Sequence, residues 1–170
     1  KTATQLVFSD GNPQSKIVFV GEAPGAEEDR QGKPFVGKSG QLLDRMLSAI
    51  NLSRKNVYIT NIIPWRPPGN RTPTEEEINI MKPFLMKHLE IVNPEIIVAV
   101  GGSSAKGLMG ISGGILRHRG KWEIIELNSG KKISIIATLH PAYLLRAPNQ
   151  KKLAWEDLKM IRDKLSSIEK

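Results

Sequence analysis

The chain has 170 residues, with 25 Lys and Arg against 17 Asp and Glu, and it contains no cysteine. This length predicts one ordinary domain covering residues 1–170. Without cysteine, the sequence excludes disulfide scaffolds, cysteine nucleophiles, zinc fingers and cysteine-held iron–sulfur clusters. Its apolar runs are too short to span a membrane, and no apolar signal segment opens the chain. We therefore predict a soluble, cytoplasmic protein with no membrane partner.

The net charge of +8 indicates an acidic partner. The simplest such partner is a phosphodiester backbone, whose counterions a basic protein releases on binding. On charge alone, a soluble basic protein without such a partner is the alternative. The basic residues that recur beside Gly-rich and Pro-rich loops are Arg66, Arg71, Arg117, Arg119, Lys121 and Arg146.

Four short apolar runs are rich in β-branched residues. They cover residues 17–20, 57–63, 96–100 and 133–137. Each run is nearly continuous in its apolar character rather than alternating, which is typical of strands buried on both faces of a parallel sheet.

Helical patterns lie between and after these runs. Apolar residues recur at helical spacing over residues 42–50 and 153–165. Thr74 followed by Glu77 is a capping-box signature that opens a further helix. We expect Pro83 to kink that helix or to restart it.

A fourth, short helix is predicted after the two glycines at 101–102, with Ser103 or Ser104 as its cap. Strands that alternate with helices predict an α/β fold, with three α/β/α layers around a central, mostly parallel four-stranded sheet. In such folds, ligands bind beyond the carboxyl ends of the strands.

The unusual residues of this sequence follow those strand ends. Four loops carry them, and we expect the loops to form a single site at one edge of the sheet. They comprise residues 21–40, residues 61–74, residues 101–103 and residues 139–148.

Residues 32–39 read GKPFVGKS and satisfy the letter pattern of a phosphate-binding P-loop. The context does not fit, because an acidic, turn-forming stretch precedes Gly32 where a P-loop follows a buried strand. Pro34, Phe35 and Val36 would also occupy the space in which backbone N–H groups converge on a phosphate. We therefore do not expect this chain to be a P-loop nucleoside triphosphatase.

The loop sequences resemble the family 4 uracil-DNA glycosylases of the uracil-DNA glycosylase superfamily. The resemblance rests on GEAPG (21–25), GKPFVGKSGQLL (32–43), VYITNIIPWRPPGNRTPT (57–74) and LHPAYLLR (139–146), in that order. It extends from about Leu6 to the final helix. It implies that the protein flips uracil out of single- or double-stranded DNA and hydrolyses its N-glycosidic bond, which leaves an abasic site. The alternative is an inactive nucleic-acid-binding module of the same fold.

The resemblance assigns the uracil contacts. Phe35 is the ring on which the base stacks, and such stacking contributes about 1 to 3 kcal/mol. Asn61 reads the base, accepting from N3–H and donating to O4. Glu28 or its neighbour excludes the 5-methyl group of thymine, and Gly21 permits a close approach. From the residues alone, Phe35 could equally be a core aromatic held by ordinary packing, and Asn61 a turn-capping residue; the glycines flanking Phe35 favour a loop that holds it away from the core.

The resemblance also assigns the catalytic residues. His140 faces uracil O2, where a well-placed donor contributes about 3 to 4 kcal/mol as charge develops. Ala23 stands where another branch of the superfamily has an activating Asp, so no carboxylate occupies that position, and Glu22, Glu27 and Glu28 are the candidates to orient water or to stabilise the sugar cation. Solvated charges on an acidic loop are the alternative for these residues, and we expect the loss of Glu22 to reduce turnover less than the loss of His140.

For the DNA contacts, the resemblance places an apolar wedge at Leu144, with Tyr143 and Leu145 as rivals. Ordinary packing at a helix start is the alternative for this group. The predicted phosphate contacts are Arg146, Arg66, Arg71 and Arg119.

One feature of the family is missing from this sequence. Its members usually hold a [4Fe–4S] cluster on four cysteines, and the last two of those positions are Trp65 and Met81 here. We therefore predict no cofactor and no metal, with Trp65 packed against Met81 in place of the cluster. We also expect a monomer.

Overall fold

The computed structural model describes residues 3–169, and its centre is a six-stranded sheet. The strands lie in the order β1-β3-β2-β4-β6-β5. The inner neighbours pair in parallel, and both edge strands pair antiparallel. The strands are β1 (Ser9–Gly11), β2 (Ile17–Gly21), β3 (Tyr58–Asn61), β4 (Ile96–Val100), β5 (Trp122–Glu126) and β6 (Lys132–Thr138).

The prediction of four strands is wrong in number, although all four predicted runs are strands and form the parallel centre of the sheet. The missed strands lie at the two edges. β1 has only three residues, and β5 is half-exposed, so neither carries the continuous apolar signal of a buried strand. β3 is also shorter than the predicted run 57–63.

Residues 3–169 also contain seven α-helices and two 3₁₀ turns, of which the last two helices and the second turn follow the last strand. The helices are α1 (Ala26–Gln31), α2 (Lys38–Ala49), α3 (Glu75–Val92), α4 (Gly102–Met109), α5 (Ile115–His118), α6 (Pro141–Arg146) and α7 (Lys151–Glu169), and the turns are Pro68–Asn70 and Pro148–Gln150. None of these described helices is both long enough and apolar enough to cross a lipid bilayer.

The helices cover both faces of the sheet, which confirms the three-layer architecture. Side chains of α2, α6 and α7 pack with Ile17 and Phe19 on one face. Side chains of α3 and α4 pack with Val18 and Val20 on the other. Neighbouring residues of β2 therefore point into opposite cores, as expected for a strand buried on both faces.

One helix prediction needs correction and another is narrowed. α3 opens with the predicted capping box at Thr74 and continues through Pro83 as one helix, which leaves a kink, and not a restart, as the expected effect of the proline. α4 is capped by Gly101 rather than by a serine. The Glu22 carboxylate accepts the Ser103 backbone N–H at 2.8 Å, while the Ser104 hydroxyl donates to a carbonyl of β2. A side chain distant in sequence thus supplies the cap, which no local pattern could indicate.

A buried carboxylate braces the carboxyl end of β6 against α7. Asp157 is fully buried and accepts from Arg119 Nη2 at 2.6 Å and from the Thr138 hydroxyl at 2.7 Å. Gly120 is required beside it, because a Cβ there would lie 2.8 Å from Asp157 Oδ1. This network holds the strand end from which His140 follows two residues later.

We expect Asp157→Ala to lower the free energy of unfolding by about 3 kcal/mol, because it leaves the Arg119 guanidinium partly buried without its partner. Urea denaturation measures the change. The matched control is Asp163→Ala, which removes an exposed carboxylate paired with Arg162 and should cost less than about 1 kcal/mol. Equal losses in the two variants would show that the buried network does not brace the fold.

Candidate active site

The carboxyl ends of β2, β3 and β6 surround a cavity of about 190 Å³, which we call the inner cavity. Phe35, Asn61 and His140 all face it, although they are far apart in the sequence. The remaining lining residues are Ala23, Gly25, Glu28, Ser39 and Ala142.

Gly21 makes this convergence possible. It ends β2 directly beside Asn61 of β3 in the parallel ladder. A Cβ built on Gly21 would lie 2.5 Å from Phe35 Cζ and closer still to Asn61 Oδ1. Only glycine therefore lets the aromatic ring and the carboxamide approach the strand end together.

Phe35 combines an unusual backbone with a buried ring. Its φ of +55° lies in the left-handed region, which is disfavoured for residues other than glycine. Its ring is 5% exposed, belongs to the core on the α2 side, and stacks on the His140 ring at 5.6 Å between centroids. The expectation that the loop holds Phe35 away from the core is wrong, since the ring forms both the edge of the core and a wall of the inner cavity.

Asn61 is a buried polar side chain at the edge of the inner cavity, with 6% of its surface exposed. The other polar side chains of β3 have partners: the Tyr58 hydroxyl pairs with His88, and Thr60 donates to a backbone carbonyl. No such partner of the Asn61 carboxamide is found among residues 3–169. Because a buried amide needs hydrogen bonds, Asn61 is suited to bind a polar ligand.

His140 caps the amino end of α6. Its Nδ1 accepts the backbone N–H of Ala142 at 3.0 Å, and Pro141 occupies the first helical position. Burial lowers the pKa of His140, as does the charge of Arg146, while the nearby Glu22 charge opposes the shift. A neutral imidazole whose Nδ1 accepts carries its proton on Nε2, so His140 can offer one N–H donor.

The two predicted acidic residues hold loops by their carboxylates. Glu28 accepts the backbone N–H groups of Gly25 at 3.0 Å, Val36 at 2.8 Å and Gly37 at 2.6 Å. Glu22 accepts from the start of α4. Glu28 lines the inner cavity, whereas Glu22 lines a second cavity that shares His140 with the first and that we call the outer cavity.

The same contacts show that residues 32–39 do not form a phosphate-binding P-loop. The N–H groups of Val36 and Gly37 that would bind a phosphate already donate to Glu28. The segment before Gly32 is helix α1 rather than a strand. Residues 32–39 therefore form the wall of the inner cavity instead of a nucleotide cradle.

Comparison with known proteins places this chain in a family. Residues 8–159 match the family model of the uracil DNA glycosylase superfamily. This chain belongs to the uracil-DNA glycosylase superfamily.

Several relatives share most of the chain, and three of them carry the name type-4 uracil-DNA glycosylase. The protein of Sulfurisphaera tokodaii is 42% identical over 168 residues, which cover 94% of this chain and 74% of the relative. The protein of Archaeoglobus fulgidus is 42% identical, and the match covers 95% of this chain and 82% of the relative. The protein of Thermotoga maritima is 45% identical, and the match covers 84% of this chain and 73% of the relative.

A wider outer cavity of about 450 Å³ adjoins the inner one, and His140 lines both. Two of the predicted phosphate contacts, Arg71 and Arg146, line this outer cavity together with Tyr143. Arg71 also forms an ion pair with Glu77 at 2.6 Å, which lowers the pKa of Glu77 to about 2. The basic wall of the outer cavity is thus partly neutralised by the structure itself.

Two predicted DNA contacts are placed differently. Leu144 is 1% exposed and packs in the core, so the wedge prediction is wrong for this residue; its neighbour Leu145 is 41% exposed. Arg119 donates to the buried Asp157 through Nε and Nη2, so most of its guanidinium is engaged within the protein. Arg66 donates to Asn70 within the Pro-rich loop.

The residues at the family's cluster positions do not fit an iron–sulfur cluster. Trp65 and Met81 line one apolar hollow of about 270 Å³, and neither side chain offers a thiolate. Among residues 3–169, no group of three or more His, Asp or Glu side chains is placed to hold a metal ion. Trp65 keeps 46% of its surface exposed, so the two residues line an open hollow rather than a closed core.

Sequence reasoning did not single out two residues of the inner cavity. Ser39 lies in the first turn of α2, and Ala142 lies in the first turn of α6. Both stand inside the quoted motifs, so their positions gave a signal. Their residue types did not, because neither is an uncommon residue for a helix start.

We expect Gly21→Ala to reduce uracil excision at least about tenfold, because the added Cβ displaces both Phe35 and Asn61. Single-turnover cleavage of a uracil-containing oligonucleotide measures the effect. The control is Gly114→Ala, where a Cβ meets nothing within 4 Å. Full activity of Gly21→Ala would contradict the close approach described for the strand end.

The direction of the His140 pKa shift predicts a pH dependence. Because the folded state disfavours the imidazolium, His140 takes up its proton below its ordinary pKa of about 6.5. We expect the excision rate to stay level as the pH rises from about 7 and to decline only below about 6.5. His140 also binds fewer protons in the folded than in the unfolded chain, so lowering the pH below about 6.5 lowers the free energy of unfolding. A rate that falls between pH 6.5 and 8 would identify the charged form as the active one.

Proposed function

We propose that this protein is a uracil-DNA glycosylase that excises uracil from DNA and leaves an abasic site. The observation that carries the proposal is the convergence of Phe35, Asn61 and His140 on one cavity of about 190 Å³. An aromatic face, a carboxamide and a neutral imidazole together match the ring, the Watson–Crick edge and the O2 atom of a flipped pyrimidine.

Base recognition rests on Asn61 and Phe35. The Asn61 carboxamide accepts from uracil N3–H and donates to O4, whereas cytosine presents the reverse pattern. The Phe35 ring stacks on the base, and neither group needs to move far because both are packed against Gly21. A buried amide facing the wrong base loses its hydrogen bonds, so sites of this kind discriminate by a factor of about 10⁴ or more.

His140 stabilises the leaving group. As the bond between N1 of uracil and C1′ of the sugar breaks, its electron pair stays on the base and negative charge develops at O2. The Nε2–H of the neutral imidazole donates to that oxygen, and the Ala142 N–H on Nδ1 fixes the tautomer. Water then adds its hydroxide to C1′ and releases a proton, and the departing uracil anion takes up a proton.

No carboxylate stands at position 23, where another branch of the superfamily has an Asp. Glu22 is the acidic residue that lines the outer cavity together with His140, and it also accepts a hydrogen bond from the start of α4. We assign it the orientation of water and stabilisation of the sugar cation, both secondary to the work of His140. Glu28 limits the size of the base through the loop it holds, since its oxygens are engaged by three N–H groups.

DNA binds across the outer cavity in this proposal. Arg146 and Arg71 line that cavity and contact phosphates, with Arg66 nearby in the Pro-rich loop. Leu145, exposed on α6 two residues after Tyr143, takes the wedge role that the sequence suggests first for Leu144. The net charge of +8 favours association with either single- or double-stranded DNA.

The test is excision from oligonucleotides that contain a single uracil, followed by alkali to cut at abasic sites. After treatment with the unmodified protein, alkali should cut the strand at uracil and not at cytosine. We expect Asn61→Asp to reduce uracil excision at least about 10²-fold, because a carboxylate accepts from N3–H but cannot donate to O4. Binding of the uracil oligonucleotide without any strand scission would instead identify an inactive nucleic-acid-binding module.

Three further features belong to the proposal as predictions from the sequence: a monomer, a cytoplasmic location and the lack of an iron–sulfur cluster. Trp65 and Met81 support the last of these, because they place apolar groups where thiolates would be required. Stoichiometric iron in the purified protein would contradict it.

A further inference from the structure

The loop that carries Phe35 is held from its outer side by Arg54, a residue between α2 and β3. Arg54 Nη1 donates to the Pro34 carbonyl at 2.9 Å, and Nη2 donates to the Phe35 carbonyl. The Arg54 side chain is 22% exposed. One guanidinium therefore binds two consecutive carbonyl groups of the loop.

These contacts meet a specific need. Phe35 has a left-handed backbone with φ of +55°, which costs a residue with a Cβ about 1 to 2 kcal/mol. Such a conformation persists only where the surroundings fix it from more than one side. Arg54 binds the carbonyls of Pro34 and Phe35, and Glu28 binds the N–H groups of Val36 and Gly37. Two opposite charges thus clamp both ends of the Phe35 turn.

Arg54 is itself fixed by two carboxylates. Its Nε donates to Asp44 of α2 at 2.8 Å, and its Nη1 donates to Asp10 of the edge strand β1 at 2.8 Å. The planar guanidinium can serve these acceptors and the two carbonyls together, whereas a lysine ammonium has only three donors at one point. The arrangement therefore requires arginine.

Arg54 acts at a distance from the base. It lines a separate hollow on the outer side of the loop with Asp10 and Asp44, and it is absent from the lining of the inner cavity. Phe35 lines both, so the ring connects the two sides.

We propose that Arg54 is a positioning residue for base recognition, which holds the Phe35 backbone in its left-handed conformation so that the ring faces the uracil. The inference rests on the proposed function, since it takes Phe35 as the stacking residue. It adds a second role for charge in this site, in which Arg54 and Glu28 shape the pocket without touching the substrate.

Arg54→Met should lower kcat/KM on a uracil oligonucleotide about 10- to 100-fold, because a displaced stacking ring misplaces the base. The inhibition constant of free uracil should rise similarly, while the affinity for DNA with a stable abasic analogue should stay within about twofold. A merely structural role would not separate free base from abasic DNA. The matched control is Arg45→Met on α2, an exposed arginine whose loss should change none of these quantities.

A double-mutant cycle decides whether Arg54 acts through Phe35. If it does, Arg54→Met has little further effect on kcat/KM in a Phe35→Ala background, since coupled residues are not additive. Losses that multiply would overturn the inference. Full activity of Phe35→Ala alone would instead overturn the stacking role within the proposed function. Thermal unfolding checks each variant, and Arg54→Lys replaces Arg54→Met in the cycle if the latter does not fold.

Discussion

The site depends on one close approach between neighbouring parallel strands. Gly21 and Asn61 are paired at the ends of β2 and β3, and the space that a side chain at Gly21 would fill is taken by the Asn61 amide and the Phe35 ring. The sheet register therefore sets the distance between the Phe35 ring and the Asn61 amide, which are the stacking and base-reading groups of the proposed function.

The charged residues around the pocket act mainly by holding backbone. Glu28 gathers three N–H groups, Glu22 caps α4, and Arg54 binds two carbonyls. Asp157 braces β6, from which His140 follows. Because these groups are engaged, few free charges face the inner cavity, which suits the proposed reaction, in which a neutral donor stabilises a leaving anion.

Burial gives His140 the properties that this chemistry needs. Desolvation keeps the ring neutral, and the α6 N-terminus fixes which nitrogen carries the proton. The stacked Phe35 ring excludes water from one face of the imidazole. In the proposed reaction, a hydrogen bond to developing charge is worth more in such a partly buried site than in water, which compensates for the absence of a carboxylate at Ala23.

The parallel centre of the sheet, the capping box at Thr74 and the four loops at the carboxyl edge of the sheet could be predicted from the sequence, because apolar runs and caps are local signals. The sequence also pointed to Asn61 and His140 as site residues. That Leu144 lies in the core while Leu145 is exposed became apparent only in the folded chain, since the six residues of α6 do not reveal which side packs. Likewise, the partners of Arg119, Glu22 and Arg54 lie 10 to 81 residues away along the chain, and no local pattern records such contacts.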